Sequence, residues 1–260
     1  MNNSDYIRRA NSAFMTAMTA LCTVLAVGAL LIILSYIAWQ GVGSLNIQFL
    51  TDSPRPVGEG GGIGNAIIGS LVLLLLSSVI GLPLGICVGV YLSEVGRGRV
   101  GGVVRFIVDT LTGIPSIVTG VFVYAILVLP MKHFSAFAGG VALALIMVPI
   151  VARTTEEMLK LVPHSLREGA LAAPGIATGA MLAIARVSGE TAPLLFTAFG
   201  SRFFPTSLNE PIASLTVQIY NYAISPYDEW HAQAWAATLV LMTLVLGINI
   251  VVRFLTRKKF

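Results

Sequence analysis

Apolar residues are gathered in long runs, at 14–39, 65–92, 103–129, 136–155, 174–200 and 232–254. A helix of roughly 20 apolar residues crosses the hydrocarbon core of a bilayer, so the pattern predicts one all-α, polytopic membrane domain over 1–260 with about six transmembrane helices. The connections differ from one another. Residues 40–63 are rich in Gly and Pro and too polar to cross lipid, 93–102 is a short turn, and 201–231 is mixed and aromatic. Within that last segment, 211–220 is compatible with a short interfacial helix or with a simple loop. Residues 156–173 turn amphipathic and charged and are expected to be a contact surface at the membrane face.

Composition sharpens this picture. The 260 residues are 56% apolar and 11% charged, with mean hydropathy +0.85, whereas a soluble domain carries about 25% charged residues. A water-soluble globule is excluded, and no length remains for a separate soluble enzyme. Arg8 and Arg9 precede the first run as in a secretory signal, but 14–39 exceeds the roughly 7–15 residues of a signal core and more spans follow, so a retained helix is expected. Cys22 and Cys87 lie inside apolar runs and read as small packing residues.

The net charge of +4 would suggest nucleic acid in a soluble protein; here it reports topology instead. Arg8, Arg9, Arg97, Arg99, Arg105, Arg153, Lys160, Arg167, Arg253, Arg257, Lys258 and Lys259 fall on one side, and only Arg55, Lys132 and Arg202 on the other. The richer side is expected to be cytoplasmic, with both termini on it. Tyr220, Tyr222, Tyr227, Trp230 and Trp235 then suit an aromatic belt at the outer surface.

Catalytic constellations are missing: there is no Gly-rich phosphate loop ending in Lys-Ser/Thr, no His/Cys cluster at metal spacing and no nucleophile elbow. Any energy source must be a gradient or another subunit. The informative pair is Arg186 and Glu190, deep within the fifth run. Each would cost about 2.5–3.5 kcal/mol at the centre of a lipid-facing helix, so neither should face lipid. At a spacing of four they share a face and can pair. They serve either as an internal clip between helices or as the lining of a polar path, in which a guanidinium fork matches an oxyanion. Ser188, Thr191 and the backbone freed near Gly189 and Pro193 add donors there. In the third run, Asp109 to Gly120 concentrates hydroxyls around Pro115, and Ser116 and Thr119 are either packing residues or further lining. Ser165 and Glu168 have capping-box spacing after Pro163, predicting a short helix from Leu166.

These stretches resemble a known family. Gly113-Ile-Pro-Ser-Ile-Val-Thr-Gly120, Val162-Pro-His-Ser-Leu-Arg-Glu168, Ala185-Arg-Val-Ser-Gly-Glu-Thr-Ala-Pro-Leu-Leu-Phe-Thr-Ala198, Gln218-Ile-Tyr-Asn-Tyr-Ala223 and Glu229-Trp-His-Ala232 are similar to the A-type (PstA) permease subunits of bacterial phosphate ABC importers. The resemblance implies the type I ABC importer permease fold (MetI-like) in the bacterial inner membrane. It also implies a PstC-type permease partner, a PstB-type ATPase dimer that uses ATP and Mg²⁺, and a PstS-type phosphate-binding protein. This chain would then be a transport subunit without its own ATPase site or cofactor, its partners being those subunits, phosphate and membrane lipid, with no nucleic acid. Arg186, Glu190, Ser188, Thr191, Ser116 and Thr119 would line the substrate pathway, and Pro163, Ser165, Leu166, Arg167, Glu168 and Ala170 would couple to the ATPase. One departure stands out: Glu168-Gly-Ala-Leu-Ala172 begins the family's coupling motif and then runs directly into Ala173-Pro-Gly-Ile176, with the middle and end of the motif missing. Two other readings therefore accompany the phosphate importer: a non-transporting assembly or signalling subunit, and a permease for sulfate or molybdate.

Overall fold

The computed structural model describes residues 3–96, 98–161 and 173–256. Among them regular structure is helical, in the order α1 (Asn3–Val42), α2 (Ile47–Thr51), α3 (Gly64–Glu94), α4 (Arg99–Gly113), α5 (Ser116–Val123), a π-helical turn (Tyr124–Val128), α6 (Leu129–Met131), α7 (Ala136–Leu161), α8 (Ala173–Ser188), α9 (Ala192–Thr197), α10 (Leu215–Ala223) and α11 (Asp228–Thr256). Four helices among the described residues are long and apolar enough to cross a membrane, or five if the bent pair α4 and α5 is one span.

The core is the contact of α3 with α7. Gly81, Gly85 and Gly89 recur every fourth residue on one face of α3 and meet Met147, Val151 and Thr155, equally spaced on α7. Both registers climb together, so the two helices run in the same direction. A Cβ at Gly85 would lie 2.7 Å from Val151 Cβ, and one at Gly89 would lie 2.6 Å from the Ala152 carbonyl oxygen. Lipid tails are as apolar as Leu, so membrane helices associate through close packing, which small residues permit. Leu73, Leu143, Met147, Val151, Ala183, Val187 and Leu194 extend the contact into one buried cluster that also recruits α8 and α9. At the outer edge α1 leans on α11, where Gly41 abuts Leu239 and Tyr36 meets Trp235 edge-on at 5.3 Å. Cys22 and Cys87 do not pack inside the chain as expected; both are exposed, on α1 and α3.

Two of the apolar runs are broken. Over 103–129 the chain bends by 105° between α4 and the helical segment from Ser116 to Met131. Pro115 disfavours the helical region for the residue before it, and Ile114 is extended, at φ −71° and ψ 131°. Over 174–200 the helix stops at Ser188 and resumes at Ala192, where Pro193 sits in the first turn. The segment 211–220 is a helix only from Leu215. Ser214 caps it by accepting from Val217 N, and Ser70 of α3 accepts from Leu215 N at 2.8 Å. Its residues Leu215, Thr216, Val217 and Tyr222 are buried, so α10 is inserted into the protein and does not simply lie on the membrane surface.

The glycine stripe yields a direct prediction. Gly85→Leu forces α3 off α7 and should reduce the amount of folded protein in membranes several-fold, because overpacking at a rigid contact typically costs 1–3 kcal/mol or more. Gly28→Leu on α1, where nothing lies within 4 Å, should leave that amount unchanged. Quantitative blotting of membrane fractions checks both.

Candidate functional site

The candidate site is the break between α8 and α9. Arg186 occupies the last turn of α8, and its Nη2 lies 3.6 Å from Glu190 Oε1. That is an ion pair too long for a hydrogen bond. The guanidinium side chain is 58% exposed and the Glu190 side chain 13%. Among the described residues no hydrogen bond engages the Arg186 guanidinium, which is exposed at the end of an apolar helix, while the Glu190 side chain is largely buried. Thr216 at the start of α10 donates to the Glu190 carbonyl at 2.9 Å, so a backbone acceptor freed by the break is satisfied from the neighbouring helix.

The other expected residues divide. Ser188 is buried, and its hydroxyl donates to the Ala185 carbonyl at 2.7 Å, so it relieves the end of α8 and does not point a proton at the break. Thr191 occupies the residue before α9 and makes no side-chain capping bond. Ser116 opens α5 and Thr119 follows one turn later. α5 packs on α9, since a Cβ at Gly120 would fall 2.6 Å from Pro193 Cα. The two motif stretches around Pro115 and Glu190 are therefore neighbours in space. Among the described residues no hydrogen bond joins Ser116 or Thr119 to Arg186 or Glu190. Pro163, Ser165, Leu166, Arg167, Glu168 and Ala170 lie outside the described residues.

The sequence reading missed a second polar centre, at the other end of α7. Glu156, expected on a contact surface, is fully buried. Its Oε1 accepts from Arg105 Nε of α4 and from Lys160 Nζ, each at 2.6 Å, and its Oε2 accepts from Arg153 Nη1 at 3.1 Å. Arg105 also donates to the Leu92 carbonyl in the last turn of α3 at 2.9 Å, and Arg153 reaches Asp109 of α4 at 3.2 Å. One carboxylate thus ties the ends of α3, α4 and α7. A faint signal was present: Glu156 has cations three residues before and four after it, at helical spacing. Arg105, which bridges it to α3, comes from far along the chain.

The family model for the binding-protein-dependent transport system inner membrane component matches residues 81–173. The fold aligns with the inward-facing MetNI methionine ABC transporter in two crystal forms, at TM-scores of 0.55 and 0.56 with 20% and 21% identity, covering 75% of this chain and 93% of that one in each case. The fold and the matched segment define a multi-pass membrane permease component of an ABC transporter. Among curated relatives, the phosphate transport system permease protein PstA of Yersinia pestis is 45% identical over 278 residues, covering 97% of this chain and 94% of its own. The PstA of Haemophilus influenzae is 40% identical over 98% and 96%, and the probable PstA of Methanocaldococcus jannaschii is 38% identical over 89% of each. The chain belongs to the PstA family of phosphate transport system permease proteins. The Yersinia alignment runs over 278 positions, more than the 260 residues of this chain, so that relative carries residues with no counterpart in it.

The Glu156 cluster is testable by itself. Glu156→Ala would leave Arg105, Arg153 and Lys160 converging on a cavity, and removing one partner from a buried charged network costs on the order of 3 kcal/mol. Lys160→Met, which removes a half-exposed cation, should cost under about 1 kcal/mol. Unfolding of the detergent-solubilised protein by titration with dodecyl sulfate measures both.

Proposed function

We propose that the chain is the membrane-spanning permease subunit of an importer that moves inorganic phosphate into the cytoplasm by alternating access. It is a transport subunit, not an enzyme; ATP with Mg²⁺ is hydrolysed by a separate, PstB-type ATPase dimer. The observation that carries the reading is Arg186: a guanidinium 58% exposed on an apolar helix, whose one ion pair among the described residues spans 3.6 Å. Exposed to lipid it would be costly, so its face belongs to a polar path completed by another subunit. Its planar fork matches the oxygens of a tetrahedral oxyanion, and the curated relatives are named for phosphate. Glu190, 3.6 Å away, orients the fork without closing on it in a hydrogen bond.

The partner permease, PstC-type, is assigned to the apolar side chains that α4 and α5 leave exposed, among them Phe106, Ile117 and Val121. The ATPase docks at the end of α7 where the Glu156 cluster lies, and the PstS-type binding protein at the opposite end. The charge asymmetry supports placing the Glu156 end and both termini in the cytoplasm of a bacterial inner membrane.

In cells that lack their own A-type permease but keep the other components, this chain should restore uptake of labelled phosphate. Arg186→Ala should insert and assemble normally yet lower uptake at least roughly a hundredfold, the loss expected from two charge-assisted hydrogen bonds to the oxyanion. Arg186→Lys, which keeps the charge but not the fork, should fall between. Normal uptake by the alanine variant would remove Arg186 from the pathway, and inhibition by excess sulfate would redirect the substrate.

A further inference from the structure

Helix α10 supplies a hydrogen bond that the break between α8 and α9 cannot make for itself. On the near side of the break α8 closes with two short-range bonds, Gly189 N to the Arg186 carbonyl at 3.2 Å and Glu190 N to the Val187 carbonyl at 3.1 Å. On the far side Leu194 N and Leu195 N both turn to the Thr191 carbonyl, at 3.1 and 3.2 Å. In an unbroken helix Leu194 N would serve the Glu190 carbonyl, and Pro193 has no N–H to offer in its place. The break therefore strands the Glu190 carbonyl. The donor that reaches it is the Thr216 hydroxyl, 2.9 Å away and 26 residues further along the chain.

Thr216 is fixed independently of Glu190. It is the second residue of α10 and is buried. Beside it Leu215 is fully buried in one cluster with Phe49 and Ile63, and Leu215 N donates to Ser70 of α3 at 2.8 Å. Ser214 accepts from Val217 N at 3.3 Å. Because the Thr216 proton points at the Glu190 carbonyl, the Ser214 hydroxyl 3.4 Å away is the donor to Thr216 Oγ1.

The Glu190 side chain has no comparable anchor. Among the described residues no hydrogen bond engages its carboxylate, and its ion pair with Arg186 spans 3.6 Å. Its direction thus follows from the two backbone bonds of residue 190, one to Val187 and one from Thr216. Hydrogen-bonded Arg–carboxylate pairs close to about 2.7–2.9 Å. A turn of the Glu190 peptide that brought the carboxylate in by about 1 Å would therefore occupy the fork.

We infer that Thr216 is a positioning residue for phosphate passage: its hydroxyl pins the Glu190 carbonyl, so that the carboxylate orients the Arg186 fork without closing on it. The inference rests on the phosphate-importer reading and adds a residue of α10 to that site. Thr216 acts through Glu190 and not on the oxyanion itself.

The test uses the assembled transporter, with its partner permease and ATPase, reconstituted in phosphatidylcholine vesicles and supplied with phosphate-loaded binding protein. Thr216→Val keeps the branched side chain and removes the hydroxyl. With α10 still held through Ser70 and Ser214, the variant should reach normal levels in the membrane. Its maximal uptake of labelled phosphate per transporter should fall roughly fivefold to tenfold, the worth of one hydrogen bond, at an unchanged half-saturating concentration of binding protein. Thr216→Ser should recover most of that loss. Added to Glu190→Gln, itself impaired, Thr216→Val should cost less than about twofold more, because the carboxylate it positions is gone. Thr216→Ala carries the same comparisons if the valine variant does not accumulate. Wild-type uptake without the hydroxyl would overturn the positioning role, as would a serine variant no better than the valine one. An undiminished loss on top of Glu190→Gln would also overturn it, leaving Thr216 as a support for α10 alone. A wild-type transporter that imports no phosphate would instead overturn the importer reading, and the role of Thr216 with it.

Discussion

The close approach of α3 to α7 is the constraint on which the rest of the molecule depends. In lipid there is no hydrophobic gain from bringing two apolar helices together, so their contact rests on dispersion and on the absence of side chains at Gly81, Gly85 and Gly89. Both polar regions are then keyed to this pair. The N-terminal part of α3 carries Ser70, which holds the start of α10, and its C-terminal end supplies the Leu92 carbonyl to Arg105. The N-terminal end of α7 donates from Ala136 and Phe137 to the carbonyls of Glu210 and Leu208, fixing the loop that leads into α10. Its C-terminal end carries Glu156. A shift of α3 against α7 would therefore disturb both ends at once.

The two charged centres show opposite use of the same chemistry. Glu156 is surrounded by three cations within 3.1 Å, a saturated network that fixes geometry. Arg186 and Glu190 stand 3.6 Å apart with the arginine open, a network left incomplete on one side. A satisfied buried network rigidifies its surroundings, whereas an unsatisfied one is costly unless something completes it. By that measure Glu156 is structural, whereas Arg186 keeps an open side, as the proposed phosphate pathway requires.

Much of the architecture was legible in the sequence because a bilayer demands long apolar runs, and the runs lie where helices or broken helices form. The breaks were legible as Pro115 and as Gly189 with Pro193, but not the 105° bend, which also depends on how α5 meets α9 through Gly120 and Pro193. The spacing of Gly81, Gly85 and Gly89 is plain in the chain, yet its meaning depends on what stands opposite. Arg186 and Glu190 could be singled out because charge inside an apolar run is conspicuous. Glu156 could not, because a carboxylate flanked by Arg153 and Lys160 looks like a solvated face until Arg105 and the end of α3 close over it. Tyr222 and Trp230 read as surface aromatics for the same reason: their burial depends on α10 being inserted, which no local pattern in 211–220 reveals.

The position of α8 links the two ends mechanically. Its glycines face α7 directly: a Cβ at Gly179 would lie 2.5 Å from Thr154 Cγ2, and one at Gly175 would lie 2.7 Å from Met158 Cγ. Such contacts leave little slack, because packed interiors deform by shifting whole elements and not by compressing. α7 is tied at its C-terminal end to α3 and α4 through Glu156 and Arg105, so three helices and the α8 packed on them share one anchor. The first irregular backbone along α8 is at Gly189–Thr191, between Arg186 and Pro193. The guanidinium therefore stands at the first break in a helix packed against α7, and at that break Thr216 ties α10 to the Glu190 carbonyl.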